Sequence, residues 1–335
     1  MPRLRPKGTP GKAGAVRVLV TGGDGFIGQH LLAHLLAGDC DVTATSLAGT
    51  PADGTLSRAE RGAVEWRRLD VRDGATVAAV VDAARPRRIF HLAGYSSSAE
   101  ARARPADALE VNGMGTLNVV EAAARARSDV ETVLVAGSAD AYGRVDDGPI
   151  GERTPLRPLS VYGTTKAAQD VIARGAGPAL GVNVVVARLF PLVGPGQRPV
   201  FVLPSFCRRA LAIRRGATDS RLTVGNLDIA RDFTDVRDAV RALRALADLD
   251  RPPHRAWNVC SGRGTPVRQL LEWVIEVAGI EPEVVRDSTL VRPGEPEAVI
   301  GDPGRLSRAT GWRAERDLRA CARATLDWVA SSDAA

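Results

Sequence analysis

Tyr162 and Lys166 stand four apart in the stretch VYGTTK, the spacing that puts two side chains on one face of a helix. A phenol and an ammonium so placed can act on one substrate atom. The fixed positive charge favours the phenolate and draws a group with an ordinary pKa of about 10 toward acid–base use. Composition sharpens the pairing. The 45 basic residues include only three lysines, and two of them, Lys7 and Lys12, fall within the first fourteen positions. Lys166 is therefore the one ammonium in the rest of the chain, one turn after one of its three tyrosines.

Such a pair needs a scaffold that brings a cofactor and a substrate to it. AVRVLV reads as a short buried strand, TGGDGFIG as a glycine turn, and QHLLAHLLAG as the helix that follows. That order sets a helix N-terminus against a phosphate, with Gly22, Gly25 and Gly28 allowing the tight turn and close backbone approach to a dinucleotide pyrophosphate. Gly22, Gly25, Phe26, Ile27 and Gly28 are the candidate contacts. His30 and His34 lack the glutamate of a zinc helix and read as ordinary helix residues, so no metal site is expected. The next strand, DVTATSL, ends without the carboxylate that would grip the adenosine ribose of NAD. Thr45 or Ser46 would tolerate and hydrogen-bond a ribose 2′-phosphate, which favours NADP, with NAD as the alternative.

VEWRRLDVRD gives a third strand, with Asp70 and Val71 as candidates for the adenine edge. RIFHLAG is a buried strand whose end, Leu92, Ala93 and Gly94, is small enough for a cofactor to lie across. Ser96 and Ser97 follow as candidate substrate contacts, and Asn112 is the odd polar residue of a long amphipathic helix. ETVLVAGSADAYG is another buried strand, ending in Ser138 and Asp140. The alternation of strands and helices specifies an α/β fold, a Rossmann-type doubly wound parallel sheet with right-handed crossovers. The pattern loosens after position 190. We expect a leader at 1–14, a dinucleotide-binding domain at 15–190 with 224–260 returning to it, and a smaller, interleaved C-terminal substrate-binding domain made of 191–223 and 261–330.

Bulk properties exclude other classes. The net charge of +6 owes four charges to Arg3, Arg5, Lys7 and Lys12, and no basic stripe interleaved with aromatics appears, so nucleic acid is not an expected partner. No run approaches the ~18 apolar residues of a membrane span, and the leader has no apolar core of a signal peptide. Cys40, Cys207, Cys260 and Cys321 are far apart and form no CxxC pair, so a reducing, cytoplasmic setting is expected.

Taken together, TGGDGFIG, HLAG, VNGMGT, GSADAYG, YGTTK, GPGQ, RDFTDVRD, NVCSG and RPGEP resemble, in order, the extended short-chain dehydrogenase/reductase family, in its nucleotide-sugar epimerase/dehydratase/reductase branch. The resemblance runs from about residue 16 to 328. It implies that Tyr162 is the general acid/base at a sugar hydroxyl or ketone, that Lys166 lowers its pKa and holds the nicotinamide ribose, and that Ser138 hydrogen-bonds the same substrate oxygen. Asp140 stands where relatives often carry a glutamate. Arg231 and Arg292 resemble the arginines that clamp a nucleotide diphosphate. A homodimer through the helices containing residues 107 to 127 and 160 to 176 is also implied.

GPGQRPVFVLPSF and VGNLDIARDFTDVRD resemble the reductases that convert GDP-4-keto-6-deoxy-mannose to a GDP-6-deoxyhexose. The departure is RLFPLVGPGQ, where Pro191 and Leu192 replace an amide and an imidazole usual in that group. The expected activity is NAD(P)-dependent reduction of the C4 ketone of such a nucleotide sugar. The alternatives are a 4,6-dehydratase or 4-epimerase with tightly bound NAD, and a catalytically silent dinucleotide sensor.

Overall fold

A computed structural model describes residues 15–126, 130–145, 148–250, 252–291 and 295–332. The first half of the chain runs β1 (Val16–Thr21), α1 (Phe26–Leu36), β2 (Cys40–Ser46), α2 (Arg58–Ala63), β3 (Glu65–Arg68), α3 (Gly74–Ala84), β4 (Arg88–His91), α4 (Ser98–Ala103), α5 (Pro105–Leu109), α6 (Gly115–Arg125), β5 (Thr132–Ser138), α7 (Val161–Ala179) and β6 (Val184–Leu189). The second half runs β7 (Leu192–Val193), α8 (Val202–Arg214), β8 (Arg221–Val224), β9 (Ala230–Arg231), β10 (Thr234–Asp235), α9 (Val236–Ala247), β11 (Ala256–Val259), β12 (Thr265–Pro266), α10 (Val267–Ala278), β13 (Glu283–Arg286), β14 (Ala298–Val299), α11 (Gly304–Thr310) and α12 (Leu318–Ser332).

Seven of these strands form one parallel sheet in the order β11-β6-β5-β4-β1-β2-β3. The order reverses direction at β1 and β4, the switch point where open α/β sheets hold their ligands. The central strands are apolar on both faces, as a sheet covered by helices requires. β5 and β6 are buried at every position. One face packs on α1, α9 and α11 through Leu31, Leu32, Leu35, Leu243 and Leu306. The other packs on α3 and α6 through Val77, Val81, Val119 and Val120, with Ala173 of α7 beside them.

A second core joins α8, α10 and α12 to β8 through Leu203, Cys207, Leu222, Leu270, Leu271 and Leu326. The two parts interleave. β8 lies in the smaller part, whereas Leu306 of α11 and Trp312 return to the core of the large sheet. The reason is visible in the side chains. Trp312 donates its indole N–H to the Asp238 carbonyl of α9 (3.0 Å), so the segment between α11 and α12 is fastened to the large layer. No helix among the described residues is long and apolar enough to cross a membrane.

One buried charge cluster ties α7 to the sheet. Arg188 of β6 forks onto Asp170 of α7 at 2.7 and 3.0 Å, and both side chains are almost wholly buried, 3% and 1% exposed. Arg188 also donates to the Tyr142 hydroxyl (2.8 Å), which donates to Asn258 of β11 (2.7 Å). Tyr142, in the YG of GSADAYG, is thus a structural residue with no exposed surface. Removing one member of such a pair leaves an uncompensated buried charge. Arg188→Leu is expected to destabilise the protein by about 3–5 kcal/mol, read as a lower urea midpoint; an unchanged midpoint would show that Arg174, which reaches Asp170 at 2.5 Å, carries the pair alone.

Candidate active site at the switch point

The glycine turn lies at the C-terminal end of β1. Gly22 has φ +66°, a left-handed conformation, and a Cβ there would sit 2.8 Å from the backbone of Ala93, so only glycine lets the β1 and β4 ends approach this closely. Ala93 N–H donates to the Thr21 hydroxyl and Leu92 N–H to the Thr21 carbonyl. Gly25 is the residue preceding α1, and no side chain caps the helix. The first-turn amides of Phe26, Ile27 and Gly28 therefore face the turn without a side-chain acceptor, an arrangement suited to a pyrophosphate. The residues present fit a dinucleotide at this end of the sheet.

Ser138 ends β5, and Tyr162 stands at the start of α7, whose N-terminus is capped by Ser160 accepting from Gly163 N (2.9 Å). A Cβ on Gly163 would lie 2.5 Å from the Asp140 carbonyl, so this glycine lets the helix press against the turn after β5. The result is that Ser138 and Asp140 lie beside the Tyr162 phenol. Burial pushes the phenol well above its ordinary value, the nearby Asp140 carboxylate adds to that, and Ser138 opposes it.

The expected direct meeting of Tyr162 with Lys166 does not occur. The Lys166 ammonium is turned inward, donating to the Ala136 carbonyl (3.0 Å) and to Gln169 Oε1 (2.9 Å), and burial pulls it down to about 8. The reason is desolvation: an ammonium only 6% exposed takes the acceptors the core offers. A Cβ on Gly94 would come 3.4 Å from its Nζ, so the ammonium lies directly under the end of β4.

Behind it runs a chain of buried hydrogen bonds. Gln169 donates to the Thr116 hydroxyl (2.9 Å), which also meets His91 Nε2 (3.0 Å), while His91 Nδ1 meets the Thr21 hydroxyl (2.8 Å). Thr116 gives its own proton to the Asn112 carbonyl (2.7 Å), so His91 is the neutral tautomer that donates from Nε2. Burial, with Lys166 nearby, lowers His91 to about 3, which keeps it neutral.

Several expected ligand contacts have other partners. Asn112 sits fully buried in a π-helical bulge, residues 110–114. It accepts from Tyr95 N–H (3.0 Å) and donates to Thr165 (2.9 Å), tying the loop after β4 to α7. Ser97 is buried as the N-cap of α4, whereas Ser96 is exposed beside Arg198. Ser46 donates to the Thr50 carbonyl (2.8 Å) and accepts from Gly49 N–H (2.9 Å), so its hydroxyl proton is used in a tight turn. Thr45 is buried in the sheet. Asp70 takes three charge-assisted bonds from Arg72, at 2.6 to 3.1 Å, which hold its carboxyl below the usual range. Val71 is buried against α6, where a Cβ on Gly115 would touch it. Arg231 pairs with Glu295 (2.9 Å) and donates to the Ala230 and Pro296 carbonyls, so its fork is closed onto the segment before β14. Arg292 lies outside the described residues.

The chain matches the family described as GDP-mannose 4,6 dehydratase over residues 19–325. It belongs to that family of extended short-chain dehydrogenases/reductases. It is 34% identical to GDP-6-deoxy-D-mannose reductase of Pseudomonas aeruginosa, over 93% of this chain and 97% of that one. It is 30% identical to UDP-glucose 4-epimerase of Azospirillum brasilense, over 95% and 93%. Among solved structures, RMD from Pseudomonas aeruginosa complexed with NADPH superposes with a TM-score of 0.80 at 32% identity, covering 95% of this chain and all 100% of that one. Thermus thermophilus UDP-glucose 4-epimerase complexed with NAD gives 0.81 at 31% identity, over 95% and 100%.

Within this family the chain carries two features its motifs did not announce. Pro191 and Leu192 make a structural joint: the Pro191 carbonyl accepts from Thr234 N–H (3.0 Å), and Leu192 pairs with Thr234 in a two-stranded ladder. Gln169 was also missed, although it lies three residues after Lys166 and seven after Tyr162, hence on their helix face. Gln169→Leu removes an acceptor from a buried ammonium. It should cost about 1–3 kcal/mol of stability and move the alkaline limb of the pH–rate profile to lower pH, because Lys166 then loses its proton earlier. A profile that keeps its alkaline limb would sever Gln169 from the function of Lys166.

Proposed function

We propose that this protein is an NAD(P)-dependent nucleotide-sugar oxidoreductase that reduces the C4 ketone of a GDP-linked 4-keto-6-deoxyhexose, with NADP as its cofactor. The observation that carries this reading is the placement of Ser138, at the end of β5, and Tyr162, at the start of α7, at the carboxyl edge of a sheet that also carries an uncapped helix N-terminus. A phenol raised by burial keeps its proton at neutral pH and is a donor. When bound, the nicotinamide supplies the hydride. Tyr162 gives its proton to the carbonyl oxygen as that oxygen becomes an alkoxide, and Ser138 holds the same oxygen in place. Solvent then reprotonates the phenolate. The 34% identical reductase and the NADPH-bound relative support this direction and cofactor.

A 4,6-dehydratase or 4-epimerase is the second reading, favoured by the relatives of those activities and by Asp140 beside Tyr162. Those reactions begin by oxidation, which needs the phenolate. Burial and Asp140 raise the phenol in this chain, which supports the reductive reading.

The exposed apolar side chains Leu109, Met114 and Val171 on the α5–α7 surface support a homodimer across these helices; a monomeric mass in light scattering at micromolar concentration would remove that part of the proposal. The catalytic reading is tested by mixing the protein with NADPH and GDP-4-keto-6-deoxy-mannose and following the loss of reduced-nicotinamide absorbance. Tyr162→Phe is expected to lower that rate by several powers of ten while leaving substrate binding largely intact. Near-normal turnover in the variant would end the mechanism.

A further inference from the structure

The binding edge of the sheet holds a guanidinium that the readings above leave without a task. β3 is the last strand of the parallel sheet, and its final residue, Arg68, pairs in register with Ser46 at the end of β2. Both residues thus stand at the carboxyl edge, where such sheets bind ligands. Their side chains also share a face. A Cβ built on Gly23 of the glycine turn would meet Ala44 Cβ at 2.7 Å and the Trp66 ring at 3.5 Å, so Ala44 and Trp66 lie on the face that carries the turn. Ser46 and Arg68 are two residues further along the same strands, and side chains in a strand alternate with period two. Arg67 points to the other face, where it pairs with Glu65 (2.6 Å).

Arg68 is exposed, and among the described residues no carboxylate is paired with it. The turn that follows β2 closes beside its stem: a Cβ on Gly49 would lie 3.0 Å from Arg68 Cβ. That turn is the one held by the Ser46 hydroxyl, which leaves neither Ser46 nor the buried Thr45 a proton to give an outside phosphate. An anion on the ribose at this corner meets no acid at the end of β2 and one unpaired planar fork from the neighbouring strand.

We propose that Arg68 reads the 2′-phosphate of NADP, and that it does so from β3 because the end of β2 has no side chain free for the task. The inference rests on the dinucleotide-dependent reading above and assigns its cofactor preference to one residue. Arg68 is a specificity residue in this scheme, since it touches the phosphate and not the reacting atoms. A guanidinium matches phosphate oxygens with two parallel charge-assisted bonds, so its loss falls on the phosphorylated ligand alone.

The test is calorimetric titration of the full chain with adenosine 2′,5′-bisphosphate and with 5′-AMP, alongside the Arg68→Gln and Arg67→Gln variants, each first checked for an unchanged thermal midpoint. The unsubstituted protein is expected to bind the bisphosphate about tenfold or more tightly than 5′-AMP. Arg68→Gln should abolish most of that preference with 5′-AMP affinity kept within about twofold, and Arg67→Gln should preserve it. Equal affinities in the unsubstituted protein, or a preference that survives Arg68→Gln, would overturn the assignment. Either result leaves an NAD-dependent oxidoreductase standing, because 5′-AMP binding reports the adenosine site itself. Loss of preference in Arg67→Gln and not in Arg68→Gln would also overturn it and place the reader on the other face of β3. Failure of the broader reading looks different: neither nucleotide binds, and no reduced nicotinamide is consumed.

Discussion

The arrangement turns on one ammonium placed where water is absent. Lys166 is the sole lysine after position 12, and it is held almost entirely inside the protein. A buried ammonium is tolerated only when its protons have acceptors. Ala136 at the end of β5 and Gln169 on α7 supply them. Gln169 must then be anchored in turn, and it is, through Thr116 to His91 and Thr21. The chain of bonds crosses α7, α6, β4 and β1, which are the elements that frame the cofactor end of the sheet. A polar network with every member satisfied fixes a single geometry, whereas an apolar core of the same size would allow several. The cost of desolvating one charge thus sets the relative positions of four elements.

The Arg188–Asp170 pair does the same one turn further along α7. It fastens that helix to β6 and, through Tyr142 and Asn258, to β11. Asn258 N–H is in turn accepted by Glu152, which pairs with Arg305 of α11. The helix bearing Tyr162 is therefore gripped at two successive turns by buried charge. Shifting α7, and with it the phenol, relative to β5 would have to break one of these clusters.

The strand–turn–helix order, the parallel sheet and the grouping of Ser138, Tyr162 and Lys166 at one edge were all legible in the sequence. Each rests on local pattern: β-branched runs, glycines at fixed spacing, a helix period. What failed to show was how polar groups choose among competing partners. Ser46 reads as a ribose contact, yet a glycine three residues later makes a turn that consumes its hydroxyl. Asn112 reads as a substrate contact, yet a π-bulge turns it into the joint between the loop after β4 and α7. Arg231 reads as a phosphate clamp, yet Glu295, sixty-four positions away, closes its fork. Tyr162 and Lys166 have the right spacing to touch, and the ammonium turns inward because its solvation is decided by residues far off in sequence. Spacing fixes which groups share a face. It does not fix which way a charged group spends its hydrogen bonds.

That distinction bears on which reaction the site favours. Reduction of a ketone asks the phenol to begin protonated, whereas oxidation of an alcohol asks it to begin ionised. In this chain burial and the Asp140 carboxylate raise the phenol, while burial lowers the ammonium, whose protons go to the Ala136 carbonyl and Gln169. Reductases and epimerases both stand among the relatives that share this fold, so the fold alone does not set the direction. What the sequence around Tyr162 does show is a charge balance, in which Asp140, two residues past Ser138, raises the phenol.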